Sequence, residues 1–96
     1  MIKTFRNRET TDIAEGLSSK LSRRLIPVEL HRNALLKISL VNRAKVVSDL
    51  SAPGLRLENL KGNRKGQYSL RINQQYRICF EWREDGAYNV EIVDYH

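Results

Sequence analysis

The sequence is poor in the residues that staple, stiffen or anchor a chain. It has one cysteine, two prolines and five glycines, and only 7% of its 96 residues are aromatic. One thiol makes neither a disulfide framework nor a thiolate zinc site. No apolar run approaches the roughly 18 residues of a membrane span. Residues 1–12 carry charges with no apolar stretch behind them, so no signal peptide is expected. The HExxH, GxSxG, P-loop and dinucleotide fingerprints are all missing. Those absences remove most metal and cofactor chemistry, leave no expected cofactor, and point to a reducing cytoplasm. Acid is also scarce. Asp and Glu number 11 against 17 Lys and Arg, a net charge of +6. A large partner is therefore expected to be anionic, with nucleic acid first in line.

What is present is one small globular unit, expected as a single domain over residues 1–96. Its charge is uneven. Residues 55–83 hold seven basic groups against Glu58 and Glu81, net +5, in less than a third of the chain. Residues 84–96 hold four acidic groups and no Lys or Arg, net −4.

Residues 2–5 alternate apolar and polar, as a short first strand would. Residues 8–17 form a helix candidate capped by Thr10 or Thr11 and stopped near Gly16. Residues 18–24 read as a polar connector. Pro27 suits the first position of a longer helix, with Leu30, Ala34, Ile38 and Val41 as its buried stripe. A further turn through residues 44–50 precedes the break at Ser51-Ala52-Pro53-Gly54. Residues 55–60 suggest a short edge strand. The last third alternates strictly: Tyr68, Leu70, Ile72; then Tyr76, Ile78, Phe80, Trp82; then Tyr88, Val90, Ile92. Three such segments in succession predict an antiparallel sheet with one buried face, covered by the helices. The expected class is α+β, N-terminal helices packed on a twisted antiparallel sheet.

Alternation also fixes register, because paired residues share a face. A loop at Asn73-Gln74-Gln75 pairs Ile72 with Tyr76, Arg71 with Arg77 and Leu70 with Ile78. A loop at Glu84-Asp85-Gly86 pairs Trp82 with Tyr88, Phe80 with Val90 and Ile78 with Ile92. Arg77 then lies beside Val93, with Tyr95 on the diagonal. Two arginines directly opposite each other repel, and folding gains nothing from them. Two readings stand: the long side chains splay into water, or an anion such as a phosphate sits between them.

The loop of residues 60–67 adds Lys61, Arg64 and Lys65, with two glycines that permit close backbone approach. Asp94-Tyr95-His96 place a carboxylate, a phenol and an imidazole within three residues. His31, within the long helix, is expected to be structural. Cys79 is read as a small filler on the face of Arg77. Cations, a phenol, a carboxylate and one imidazole suit cleavage of RNA, which brings its own nucleophile in the 2′-hydroxyl.

The stretch LRLENLKGNRKGQYSLRINQQYRICFEW and the closing NVEIVDYH resemble the HigB-type killer toxins of the RelE superfamily of type II toxin–antitoxin systems. The opening MIKTFRNRET fits the same family. The resemblance implies a RelE-like fold of two main helices on an antiparallel sheet. It implies a ribosome-dependent mRNA endoribonuclease that stops translation. It also implies a HigA-like helix-turn-helix antitoxin as partner, with operator DNA bound only through that antitoxin and no membrane partner. The residues it ties to activity are Lys61, Arg77, Asp94, Tyr95 and His96. Arg56, Arg64, Lys65, Arg71 and Asn73 are the further expected RNA contacts. Asn73 stands where some members carry a second arginine, with Arg71 on the same face. Two rival readings remain: a ParE-type toxin acting on a DNA topoisomerase, and a non-enzymatic basic RNA-binding module.

Overall fold

Asn7 starts the first helix. Its backbone is extended, and its side-chain oxygen accepts from the Thr10 amide at 2.9 Å, opening α1 (Arg8–Ala14). The cap is thus Asn7, not Thr10 or Thr11. Thr10 is fully buried, and its hydroxyl oxygen accepts from the Ile92 amide at 3.1 Å, joining the helix to the sheet. The expected stop at Gly16 is present. Gly16 has φ +75, its N–H donates to the Ile13 carbonyl, and the Leu17 N–H donates to the Asp12 carbonyl. That is a Schellman ending, which needs a left-handed residue. The computed structural model describes residues 1–95; His96 lies outside them.

The expected connector at residues 18–24 instead contains a helix, α2 (Lys20–Leu25). Ser19 caps it by accepting from the Ser22 amide at 3.0 Å, and the Ser22 hydroxyl is spent on the carbonyls of Leu17 and Ser19. Its polar sequence hid it, because serines here satisfy backbone groups rather than mark a loop. His31 Nε2 lies 2.9 Å from the Ile26 carbonyl and 3.1 Å from that of Ser22. The imidazole therefore closes the C-terminal end of α2, the structural role expected of it. The long helix α3 (His31–Arg43) starts later than Pro27, after a 3-10 turn over Val28–Leu30. Ala34, Ile38 and Val41 form its buried stripe, while Leu30 is only half-buried. Ala44 turns extended and ends the helix, so residues 44–50 hold a 3-10 turn (Val47–Leu50) instead of a further α turn. There the Asp49 carboxylate accepts from the amides of Lys45 and Val46, which pull its pKa below the ordinary value.

The sheet runs β1 (Glu58–Asn59), β2 (Gln67–Arg71), β3 (Tyr76–Arg83), β4 (Gly86–Asp94) in spatial as in sequence order, all antiparallel. Leu70, Ile78, Phe80 and Val90 are fully buried against Ile13, Ala34, Ile38 and Val41. Each large apolar side chain removed from water contributes roughly 1.5–3 kcal/mol. Residues 2–5 add a partial extra strand: Ile2 and Phe5 bridge Ala87 and Val90 in parallel, so β4 is no bare edge. No helix among the described residues is long and apolar enough to cross a membrane.

The β2–β3 register is the expected one, with Leu70 on Ile78 and Arg71 on Arg77. The β3–β4 register begins as expected, with Arg77 on Val93 and Ile78 on Ile92, and then slips by one. Glu81 faces Tyr88 and Trp82 faces Ala87, so the expected Trp82–Tyr88 pair does not form. Asn89 is the extra residue of a bulge, left-handed at φ +54. Its amide donates to Thr4 Oγ1 at 2.7 Å and its side chain to Glu81 at 2.8 Å. The slip leaves a two-residue loop, Glu84-Asp85, because Arg83 pairs with Gly86. It also turns Tyr88 out of the core, where the Arg83 guanidinium lies 4.1 Å from its ring centre.

Candidate functional site

Strand alternation puts Arg71, Arg77 and Cys79 on the sheet face away from the helices, and Val93 and Tyr95 with them. Arg77 does not splay into water there. It is 8% exposed, with Nη1 donating to Glu58 Oε1 at 3.0 Å and Nη2 donating to the Arg56 carbonyl at 2.6 Å. Its guanidinium carbon lies 5.3 Å from the centre of the Tyr95 ring, a cation–π distance. Arg77 Nε is buried with no hydrogen-bond partner among the described residues. Arg56 pays for this geometry in its backbone: at φ +51 it is left-handed, which aims its carbonyl at Arg77.

These groups line a cleft of about 260 Å³, bounded by Arg56 and Glu58 on one side, Arg71, Asn73 and Gln74 at the β2–β3 turn, and Arg77 and Tyr95. Among the described residues, three guanidinium groups against one carboxylate make it a site for an anion. Asn73 has its oxygen committed, accepting from the amides of Gln75 at 2.9 Å and Tyr76 at 2.8 Å, so it shapes the turn. Among the described residues no carboxylate pairs with Arg56 or Arg71.

Other expected site residues lie elsewhere. Lys61 and Lys65 are exposed on the β1–β2 loop and do not line the cleft. Arg64 of the same loop donates to Glu91 Oε1 on β4 at 2.9 Å and to Gln67 Oε1 at 3.0 Å. Burial is the largest single influence and pulls its pKa down, but the hydrogen bond to Glu91 and the charge interactions with Cys79, Glu91 and Tyr95 together leave it above the ordinary value. Asp94 pairs in register with Tyr76, on the opposite face from Arg77, and accepts from Gln75 Nε2 at 3.1 Å. Tyr95 is 40% exposed at the cleft. The expected proton carrier His96 lies outside the described residues. Glu58 is a cleft residue that sequence reasoning missed. Composition marks it as one of only two acids in the basic stretch of residues 55–83, but does not place it at the cleft.

The face around Arg77 is less open than its alternation implies. Ser69 and Cys79 are fully buried, and Glu91 is 9% exposed. Arg64, reaching from the β1–β2 loop to β4, crosses it. Burial raises the Cys79 thiol pKa, against the pull of Arg64. Both facts suppress thiolate chemistry, in keeping with the filler role. Alkylation of Cys79 at pH 8 should run about 10³-fold or more slower in the folded protein than in urea, limited by the open fraction. Labelling at equal rates would show that the thiol is not buried.

The cleft-bearing chain has known counterparts. Residues 5–96 match the family model of the HigB-like toxins, the RelE-like toxin of the type II toxin–antitoxin system HigB. Toxin HigB-1 of Vibrio cholerae serotype O1 is 42% identical over 67 residues, 69% of this chain and 70% of that protein. Endoribonuclease HigB of Proteus vulgaris is 28% identical over 97 aligned residues, with both chains covered in full. Among solved structures, a YoeB–YefM complex from Staphylococcus aureus superposes with a TM-score of 0.62 over 100% of this chain and 98% of that one. At 14% identity that likeness is one of fold.

Proposed function

This chain belongs to the HigB family of RelE-like toxins of type II toxin–antitoxin systems, and on that premise we propose how it acts. It is an endoribonuclease whose residues 1–96 form one toxin domain working on mRNA at the ribosome, without a metal, so that translation stops. The observation that carries this reading is the buried Arg77, fixed by Glu58 and the Arg56 carbonyl at the wall of a cleft with two more arginines. The nucleophile belongs to the RNA. The 2′-oxygen attacks phosphorus, the 5′-oxygen leaves, and the products are a 2′,3′-cyclic phosphate and a 5′-hydroxyl. The protein supplies positive charge for the pentavalent phosphate and groups that take and give a proton.

Arg77 is the charge nearest to being fixed before substrate arrives, and Arg71 and Arg56 hold flanking phosphates. Lys61 and Lys65 meet the RNA backbone from the loop. Tyr95 offers an exposed ring for a base to stack on. Glu58 is the cleft carboxylate that can accept the 2′ proton, beside the roles assigned to His96 and Asp94. The partner is a protein antitoxin of the HigA-like helix-turn-helix kind, through which alone operator DNA is reached, and the site of action is the cytoplasm.

Mapping of mRNA 5′ ends by primer extension in cells expressing the chain tests this reading. New ends within translated regions are expected within minutes of induction. Growth arrest with no new ends would move the assignment to the topoisomerase-directed toxins.

A further inference from the structure

Glu91 is an acid in a place where simple electrostatics has no use for it. It sits in β4 on the same sheet face as Arg77, in a protein whose proposed substrate is a polyanion. Its side chain is 11% exposed, and one oxygen lies 2.9 Å from Arg64 Nη1 while the other lies 3.6 Å from Arg6 Nε. Arg64 belongs to a 3-10 turn (Gly62–Arg64), and its own amide donates to the Lys61 carbonyl at 3.2 Å. Among the described residues, the other hydrogen bonds of residues 61–66 stay within residues 60–67. The Arg64–Glu91 bond is therefore what ties this glycine-bearing loop to the far side of the sheet. Gly62 at φ +63 and Gly66 at φ +91 give the loop its turn but no rigidity of their own.

We propose that Glu91 is a positioning residue that holds Arg64, and through it Lys61, in fixed relation to the Arg77 cleft. The claim rests on the ribonuclease reading for its consequence, and it changes the role of Arg64 from phosphate contact to anchor. Arg64 spends its charge on a carboxylate of the same chain, and Lys61 is one backbone hydrogen bond away. An exposed lysine on an untethered loop samples many positions. The same lysine on a tethered loop meets the phosphate in one, and misplacement by about 1 Å costs up to about 100-fold in rate.

The test turns on sign. Removing a carboxylate beside an RNA site strengthens RNA binding if only charge matters. Removing an anchor slows cleavage. Glu91→Ala is the diagnostic variant, because alanine cannot accept from Arg64 as a glutamine amide still would, and it leaves behind Arg64 and Arg6, which are 35% and 54% exposed and can return to water. It is expected to lower the single-turnover cleavage rate of RNA on programmed ribosomes about 10- to 100-fold. Hydrogen exchange of the Asn63, Arg64 and Lys65 amides should accelerate in the same variant, while the exchange of β3 stays put. Arg64→Gln should slow cleavage similarly, and the double variant should be no worse than either alone, because one contact is lost in all three. Cleavage as fast as or faster than the parent overturns the proposal, as does faster loop exchange with an unchanged rate. Additive losses assign Arg64 to the phosphate instead. If the parent cuts no RNA, the ribonuclease reading is the one that falls, and the exchange measurement, which needs no substrate, still decides whether Glu91 tethers the loop.

Discussion

Arg77→Ala is expected to lower RNA cleavage by about 10²–10³-fold and to relieve growth arrest, the size of loss seen when a fixed donor to a developing oxyanion is removed. The charge of Arg77 is worth this much because it does not have to be organised during the reaction. Glu58 and the Arg56 carbonyl hold two of its nitrogens, and Tyr95 lies 5.3 Å from its guanidinium carbon. The fold should survive the change. Losing the buried stem costs about 2 kcal/mol at roughly 0.8 per methylene, a tolerable part of the 5–15 kcal/mol of a small domain. Glu58, 52% exposed at its side chain, rehydrates once its partner is gone. Removing the unpartnered Nε also removes a desolvation cost. Arg77→Lys keeps the charge but cannot make both bonds at once, so it should fall between the parent and Ala. Circular dichroism and a thermal melt separate loss of activity from loss of fold. A folded Arg77→Ala protein that still arrests growth and still cuts RNA would refute the assignment of this cleft.

Glu58→Gln separates the two roles open to that carboxylate. The amide can still accept from Arg77, so the guanidinium stays put while the proton acceptor is lost.

The features legible in the sequence are those set by a two-residue period. Alternation placed Leu70, Ile78 and Ile92 in the core. It paired Arg71 with Arg77 and set Tyr95 on the diagonal from Arg77, as found. The same rule applied to Asp94 separates it from Tyr95, since neighbours on a strand face opposite ways. Treating residues 94–96 as one cluster overlooked this. The β3–β4 slip was illegible because it depends on Asn89 taking a left-handed backbone held by Thr4, some 85 residues away in sequence. Helix α2 was illegible because its serines read as loop formers, and their work as caps appears only once the helix exists. Glu58 was hidden by the shortness of β1, whose two residues carry no alternation of their own. Its face follows only from the pairing of Glu58 with Ser69. Whatever is set by one long-range contact has no period, and so leaves no pattern to find.

Gly86→Ala should be the most damaging single methyl in the chain. Gly86 has φ +142, a region in which side chains are strained, and a Cβ built on it lies 2.1 Å from the Met1 carbonyl oxygen. That atom is backbone, and it cannot swing aside as a side chain would. The same carbonyl accepts from the Ala87 amide at 2.9 Å, and the Ala87 carbonyl accepts from Lys3 at 2.7 Å. The added methyl therefore either forces the start of the chain away from β4, breaking these bonds, or shifts the end of the β3–β4 hairpin. The dihedral alone costs about 1–3 kcal/mol. Each backbone hydrogen bond lost adds about 1 kcal/mol. Gly16→Ala is the control that isolates the second cost. Gly16 is also left-handed, at φ +75, but a Cβ there meets nothing within 4 Å, so the variant bears the dihedral strain only. In urea titrations Gly86→Ala should lose roughly 2–4 kcal/mol, and Gly16→Ala about 1–2 kcal/mol. Equal midpoints for the two would mean that residues 1–3 do not press on the hairpin end. Amide exchange should then find Ala87 no better protected than the exposed turn at Asp85. With Gly86 intact, protection at Ala87 and Lys3 should instead rise and fall together, because one pair of bonds holds both.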